Sequence, residues 1–141
     1  MQNTLRIMFS GAIDRVTGSA TLLEYKNNAF TGLYLVDAGA YQGENSDDYH
    51  EYLLERAKDI NIIFLTHAHY DHVGFLPELI KNGFIGKIYC TKATSLLTVE
   101  ILRDSLIIKE TPKIEIKDII DKIQSSFFRL EDDREFQFGK R

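Results

Sequence analysis

The sequence predicts a mixed α/β (α+β) fold, and three observations carry this prediction. Short apolar or alternating runs separated by polar turns, which are typical of strands, dominate the first 90 residues. Longer stretches with apolar residues at helical spacing follow. The length of 141 residues, of which 44% are hydrophobic, is sufficient for one domain with a buried core.

The strand predictions begin with three segments, residues 5–9, 19–25 and 33–37, of which the last two are joined by a polar turn. This order predicts an antiparallel meander. The apolar run at residues 60–65 predicts a buried strand, and Ile88-Tyr89-Cys90 predicts another apolar strand. The alternation Phe136-Gln137-Phe138 predicts the beginning of a further strand.

Four helices are predicted between and after these strands. Ser46-Asp47-Asp48 supplies a cap and an acidic first turn for a helix through about Lys58, on which His50 is expected at the surface. A helix with Pro77 in its first turn is expected over residues 73–80. A third helix covers residues 92–109. The fourth carries the stripe Ile116, Ile119, Ile120, Ile123 and Phe127.

Three of the four histidines lie within the run THAHYDH at residues 66–72, directly after the predicted strand 60–65. His67, His69, Asp71 and His72 are the candidate metal ligands, because imidazole and carboxylate together suit zinc and similar divalent ions. The alternative, a group of solvated surface histidines, is disfavoured because strand, turn and helix signals all frame the motif.

The spacing of these ligands suggests two ions. His67 and His69 can share one ion because side chains at i and i+2 of an extended turn point the same way, while Asp71 and His72 can reach a second ion. Asp71 and His72 are therefore also the candidate catalytic residues. Two ions about 3.5–4 Å apart could stabilise both the attacking and the leaving oxygen of a phosphodiester.

Asp37 ends an apolar strand before Ala38-Gly39 and allows three interpretations: a direct ligand, a turn former, or a carboxylate that orients a ligating imidazole. The last is favoured, because metal-bound histidines commonly donate their free N–H to such a partner.

The signature HAHYDH at residues 67–72 resembles the HxHxDH motif of the metallo-β-lactamase superfamily. Residues 11–19, 35–43 and 86–94 are similar to elements of its β-CASP branch, which processes nucleic acids. This resemblance implies an αββα sandwich of which the chain, residues 1–141, is the N-terminal part, without the second half and the β-CASP insert. It also implies zinc-dependent hydrolysis of RNA by the complete protein, through a hydroxide bridging two zinc ions.

One departure from the family concerns the site itself. The family completes its metal centre with later residues, including histidines, whereas no histidine follows His72. The expectation is therefore half of a metal site, within an excised or truncated part of a longer enzyme. Two alternatives stay open: another hydrolase of the superfamily, acting on thioesters, lactams or DNA, and a non-catalytic fragment.

Composition bears on the kind of partner, the cellular location and the role of the cysteine. A net charge of -4 disfavours a dedicated basic nucleic-acid module. Neither a signal peptide nor a run of about 18 apolar residues is visible, so a cytoplasmic protein with no membrane contact is expected. RNA is the expected substrate and homo-oligomerisation is possible. Cys90, the single cysteine, is expected as a buried thiol.

Overall fold

A computed structural model describes residues 3–14, 16–42, 50–131 and 135. The strands form a six-stranded sheet in the order of the chain: β1 (Thr4–Phe9), β2 (Thr21–Lys26), β3 (Thr31–Val36), β4 (Ile62–Phe64), β5 (Lys87–Thr91) and β6 (Phe127–Leu130). The helices are α1 (Glu51–Glu55), α2 (Tyr70–Val73), α3 (Leu76–Lys81), α4 (Lys92–Ile108) and α5 (Lys113–Ser126), with a short 3-10 turn at Ala57–Asp59. The predicted α/β class is confirmed.

The sheet combines two kinds of pairing. Strands β1 to β3 form the predicted antiparallel meander, with Leu22 opposite Leu35. From β3 to β6 all neighbours are parallel, and Val36 lies beside Phe64. Parallel neighbours require crossover connections, and the helices between β3 and β6 supply them.

The helices cover one face of the sheet. A row of apolar side chains crosses all six strands on this face and packs against buried residues of the helices, among them Leu53, Leu79, Leu102 and Ile120. The row consists of Met8, Leu22, Leu35, Ile63, Ile88 and Phe127. Every second strand residue contributes to this face because side chains alternate along a strand.

The opposite face is also apolar, and several of its side chains are exposed in the part of the chain that the structure describes. Its neighbouring row contains Phe9, Val36, Phe64, Tyr89 and Phe128, of which Phe9 is 64% and Phe128 is 42% exposed. Two further residues of the edge strand β1, Leu5 and Ile7, are 59% and 53% exposed. Such a face is suited to contact with another layer of protein.

The structure corrects two predictions. Phe127 does not continue the stripe of α5, because the helix ends at Ser126 and Phe127 begins β6 in extended conformation beside Ile88. His50 is not a surface residue: it is 3% exposed and its ring packs on Phe75. A lone histidine among polar neighbours carries no sequence signal for burial, because tertiary packing alone decides it.

Of the other expectations, one is confirmed and two concern residues that the structure does not describe. Cys90 is a buried free cysteine, and burial raises the pKa of its thiol to about 11, which keeps it protonated at neutral pH. Helix α1 is shorter than predicted, and its proposed cap at residues 46–48, like the strand expected at 136–138, lies outside the described residues. None of the helices in the described segments is long and apolar enough to cross a membrane.

Candidate metal centre

The candidate ligands follow the ends of two adjacent parallel strands. Strand β3 ends at Val36 and β4 ends at Phe64, and the two residues are register partners. The segments that follow both strands therefore emerge at the same edge of the sheet. Asp37 leaves β3 there, and the run from Thr66 to His72 leaves β4.

Asp37 is buried at this edge, with 3% of its surface exposed. Its backbone has a φ of 59°, a left-handed conformation that costs most residues about 1–2 kcal/mol and that aspartate tolerates better than most. One carboxylate oxygen, Oδ1, accepts from the Thr66 backbone N–H at 2.9 Å. The other, Oδ2, lies 2.8 Å from His72 Nδ1. Asp37 thus connects the two strand ends.

This contact determines which nitrogen of the His72 ring faces the metal site. A carboxylate can only accept, so His72 Nδ1 carries a hydrogen, and Nε2 is the nitrogen whose lone pair can bind a metal ion. Nε2 lies 3.6 Å from Asp71 Oδ2. Two ligands of one tetrahedral zinc, with bonds near 2.0–2.1 Å, are about 3.3–3.4 Å apart, so this pair is close to the separation that one ion requires.

Thr66 orients a second imidazole by the same logic. Its single hydroxyl hydrogen is donated to the Asp37 carboxylate, which lies within 2.9–3.0 Å of Oγ1. The 2.9 Å contact between Thr66 Oγ1 and His67 Nδ1 must then be a bond in which the ring N–H donates. His67 consequently also presents Nε2 as its free acceptor. The sequence interpretation did not include Thr66, whose only signal is a hydroxyl residue directly before the motif.

The structure brings the three histidines of the motif together. The ring centroids of His67 and His72 are 4.0 Å apart, and those of His67 and His69 are 4.6 Å apart. His69 precedes α2 and is exposed, whereas Asp71 and His72 lie within α2. The donors lie on one strand end and one helical turn.

Three imidazoles and a carboxylate are ligand types that zinc commonly binds. The hydrogen bonds at Nδ1 of His67 and His72 leave Nε2 of each ring as the nitrogen that can bind the ion. The arrangement is nevertheless incomplete. In the segments that the structure describes, no three His, Cys, Asp or Glu side chains are placed so that they could hold one ion. The donors fit as part of a ligand set.

The backbone of residues 38–40 supports the turn that carries Asp71 and His72. Ala38 N–H donates to His72 O at 2.8 Å, and Ser19 N–H donates to Asp71 O at 2.8 Å. Gly39 lies so close that a Cβ added to it would be 1.7 Å from Asp71 O. Only glycine permits this approach.

The side chain of His50 contacts the same backbone segment, residues 38–40. Its Nε2 lies 2.9 Å from Gly39 O. The structure thus adds Gly39 and His50 to the surroundings of the predicted ligands, although neither was identified as a functional residue from the sequence.

Comparison with known proteins identifies relatives of this sequence. The sequence is 37% identical over 115 residues to Ribonuclease TTHA0252 of Thermus thermophilus. The aligned region covers 82% of this chain and 26% of that relative. It is 33% identical over 102 residues to Cleavage and polyadenylation specificity factor 73 of Drosophila melanogaster, covering 71% of the chain and 14% of the relative. The chain therefore spans about a quarter or less of the length of these curated relatives.

The fold has solved counterparts. The chain superimposes with a TM-score of 0.51 on AidC, a dizinc quorum-quenching lactonase, at 20% identity, covering 84% of this chain and 45% of that one. Similarity at this level of identity concerns the fold. A match to the Metallo-beta-lactamase superfamily extends over residues 13–140, which includes the whole candidate metal centre. The chain thus belongs to the metallo-beta-lactamase superfamily.

Proposed function

We propose that the complete protein is a metal-dependent hydrolase that cleaves phosphodiester bonds of RNA, and that this chain supplies His67, His69, Asp71 and His72 to its metal centre. The observation that carries the proposal is the orientation of two imidazoles by Asp37 and Thr66, which leaves both Nε2 atoms free. The similarity to relatives named Ribonuclease TTHA0252 and Cleavage and polyadenylation specificity factor 73 supports RNA as the substrate.

Zinc is the proposed metal, in two sites. His67 and His69 belong to the first ion, and Asp71 and His72 to the second. Divalent zinc bound in such sites lowers the pKa of water towards neutrality and balances negative charge in the transition state of phosphodiester hydrolysis. Asp37 orients His72, and Thr66 orients His67. Since the chain carries a net charge of -4, most contacts with the RNA backbone are expected to come from other parts of the complete protein.

The chain by itself is proposed to be inactive, because its described residues do not form a complete metal cage. Calorimetric titration of this chain with zinc should give fewer than two tight equivalents. Two tight equivalents per chain would refute the incomplete site.

The activity is tested with the full-length gene product, labelled RNA and added zinc. Replacing Asp71 by Ala should abolish cleavage and leave RNA binding, measured by fluorescence anisotropy, nearly unchanged, because the metals supply chemistry and few strand contacts. Asp118→Ala is the matched control, since Asp118 lies on α5 and pairs only with exposed Lys122 in the part described. Cleavage by the Asp71→Ala protein at the parental rate would refute the metal mechanism.

The same preparation separates the alternative substrates. DNA, a thioester and a β-lactam are offered under identical conditions. Hydrolysis of one of these with RNA left intact would transfer the proposal to another activity of the superfamily, and a parent inactive on all of them would favour the non-catalytic alternative.

A further inference from the structure

The buried ring of His50 has an unusual environment. It is 3% exposed, its centroid is 4.4 Å from that of Phe75, and Nε2 lies 2.9 Å from Gly39 O. A carbonyl can only accept, so Nε2 carries the hydrogen. Nδ1 is buried and has no hydrogen-bond partner within the described segments. Burial lowers the pKa of His50, opposed in part by the bond to Gly39, which is consistent with a neutral ring.

The carbonyl that His50 holds belongs to the segment beneath the metal ligands. Gly39 N–H donates to Ser19 O at 2.9 Å, and Ser19 N–H donates in turn to Asp71 O at 2.8 Å. The residue before Gly39, Ala38, donates its N–H to His72 O at 2.8 Å. The position of Gly39 is therefore transmitted through backbone bonds to both Asp71 and His72.

Phe75 connects the ring to the same segment a second time. Its side chain packs on the imidazole, and its backbone N–H donates to Ala38 O at 2.8 Å. The imidazole therefore forms a hydrogen bond to Gly39, and it also packs against Phe75, whose backbone bonds to Ala38. An apolar side chain could fill this space, but it could not hold the Gly39 carbonyl.

We propose that His50 is a positioning residue for the metal centre: by donating its Nε2 hydrogen to Gly39 O, it holds residues 38–40 where they orient the turn bearing Asp71 and His72. His50 touches none of the candidate ligands itself and acts through the backbone. The inference rests on the proposed metal-dependent function, but its first test requires no metal.

The test compares amide hydrogen exchange, measured by NMR on this chain, in the parent, His50→Gln and His50→Leu. Gln can place a donor near the position of Nε2, whereas Leu fills the space without one. In His50→Leu, protection of the Ser19, Ala38 and Gly39 amides should fall by about tenfold or more relative to the Leu65 amide, which bonds to Tyr89 O in the sheet.

Zinc affinity, measured on the same chain by calorimetry, should fall by about tenfold in His50→Leu, the lower end of the range for direct partners of metal ligands, because His50 acts on the ligands through the backbone. His50→Gln should restore both exchange and affinity to within about threefold of the parent, since it retains the donor. Failure of Gln to restore either quantity would overturn the hydrogen-bond role.

Ile123→Ala is the control for general destabilisation, because Ile123 is fully buried on α5 and belongs to the core beneath the sheet. It should lower the protection of all slowly exchanging amides together and leave zinc affinity nearly unchanged. The same uniform pattern in His50→Leu would show that His50 only packs, and it would refute the proposal. A complete protein that cleaves no RNA would refute the proposed function and leave these exchange results standing.

A measurement on the parent alone covers the case in which His50→Leu does not fold. A long-range ¹H–¹⁵N spectrum at pH 7.5 should show the His50 ring with its hydrogen on Nε2 and with slow exchange of that hydrogen. A neutral ring carrying its hydrogen on Nδ1 would overturn the proposal, because Nε2 would then have no hydrogen to donate to Gly39 O.

Discussion

Replacing Asp37 by Asn should weaken zinc binding more than it weakens the fold. In the structure, the two carboxylate oxygens serve different donors: Oδ1 accepts from Thr66 N–H, and Oδ2 accepts from His72 Nδ1–H. The Thr66 donor is a backbone group and cannot reverse. Asparagine must therefore keep its oxygen towards Thr66 and turn its NH₂ group towards His72.

Two donors would then face each other at 2.8 Å unless the His72 ring changes tautomer. After that change Nδ1 accepts from the amide, and Nε2, the atom proposed to bind metal, carries the hydrogen. The loss of an outer partner of a metal ligand lowers affinity by about 10-fold to 100-fold, or about 1.4–2.7 kcal/mol. Stability should fall less, by about 1 kcal/mol, because a hydrogen bond is weakened by loss of charge while the packing is retained.

The assay combines three measurements on the parent and on Asp37→Asn: ¹⁵N shifts of the His72 ring, calorimetric zinc affinity and the free energy of unfolding in urea. Asp118→Asn, at an exposed position of α5, serves as the control: it should leave the ring shifts and zinc affinity unchanged and lower stability by no more than about 0.5 kcal/mol, the value of one i,i+4 ion pair. If His72 in Asp37→Asn keeps its hydrogen on Nδ1 and zinc affinity stays at the parental value, the argument from hydrogen-bond direction is refuted.

Three further predictions concern the support and the surface of the site. Gly39→Ala should destabilise the fold by about 3 kcal/mol or more, since the new Cβ would meet Asp71 O at 1.7 Å, and thermal unfolding measures this. Gly32→Ala should cost far less, because the atoms nearest its Cβ are ends of side chains that can move, and an equal loss would contradict the reasoning. The chain should self-associate through the exposed apolar side chains Leu5, Ile7 and Phe9 of β1, and Ile7→Lys should raise the dissociation constant by about tenfold in analytical ultracentrifugation, whereas a strictly monomeric parent would exclude this contact. The pKa of His50 is lowered from its ordinary 6.5 by burial, so below about pH 6.5 the unfolded chain takes up a proton that the folded chain does not. The free energy of unfolding should therefore decrease as pH falls below that value, with a smaller slope in His50→Gln, and equal slopes would contradict a buried neutral ring.

The sequence by itself determined the fold class, the strand meander and the candidate ligands. Alternating or continuous apolar runs at 19–25, 33–37 and 60–65 predict strands, because the burial of one or both faces of a strand determines which neighbouring residues along the chain are apolar. The ligands His67, His69, Asp71 and His72 are visible for a similar reason, since they occupy six consecutive residues and their chemistry can be recognised without knowing what surrounds them.

Only the tertiary structure decided how that cluster is held. Asp37 meets Thr66 and His72 because β3 and β4 are parallel neighbours that end at the same edge, a pairing between residues 29 and 35 positions apart in the chain. The burial of His50 has the same origin, since its partners Gly39 and Phe75 come from two other segments. Periodicity is a property of neighbours along the chain, whereas the direction of a hydrogen bond and the accessibility of a ring depend on residues that folding brings together.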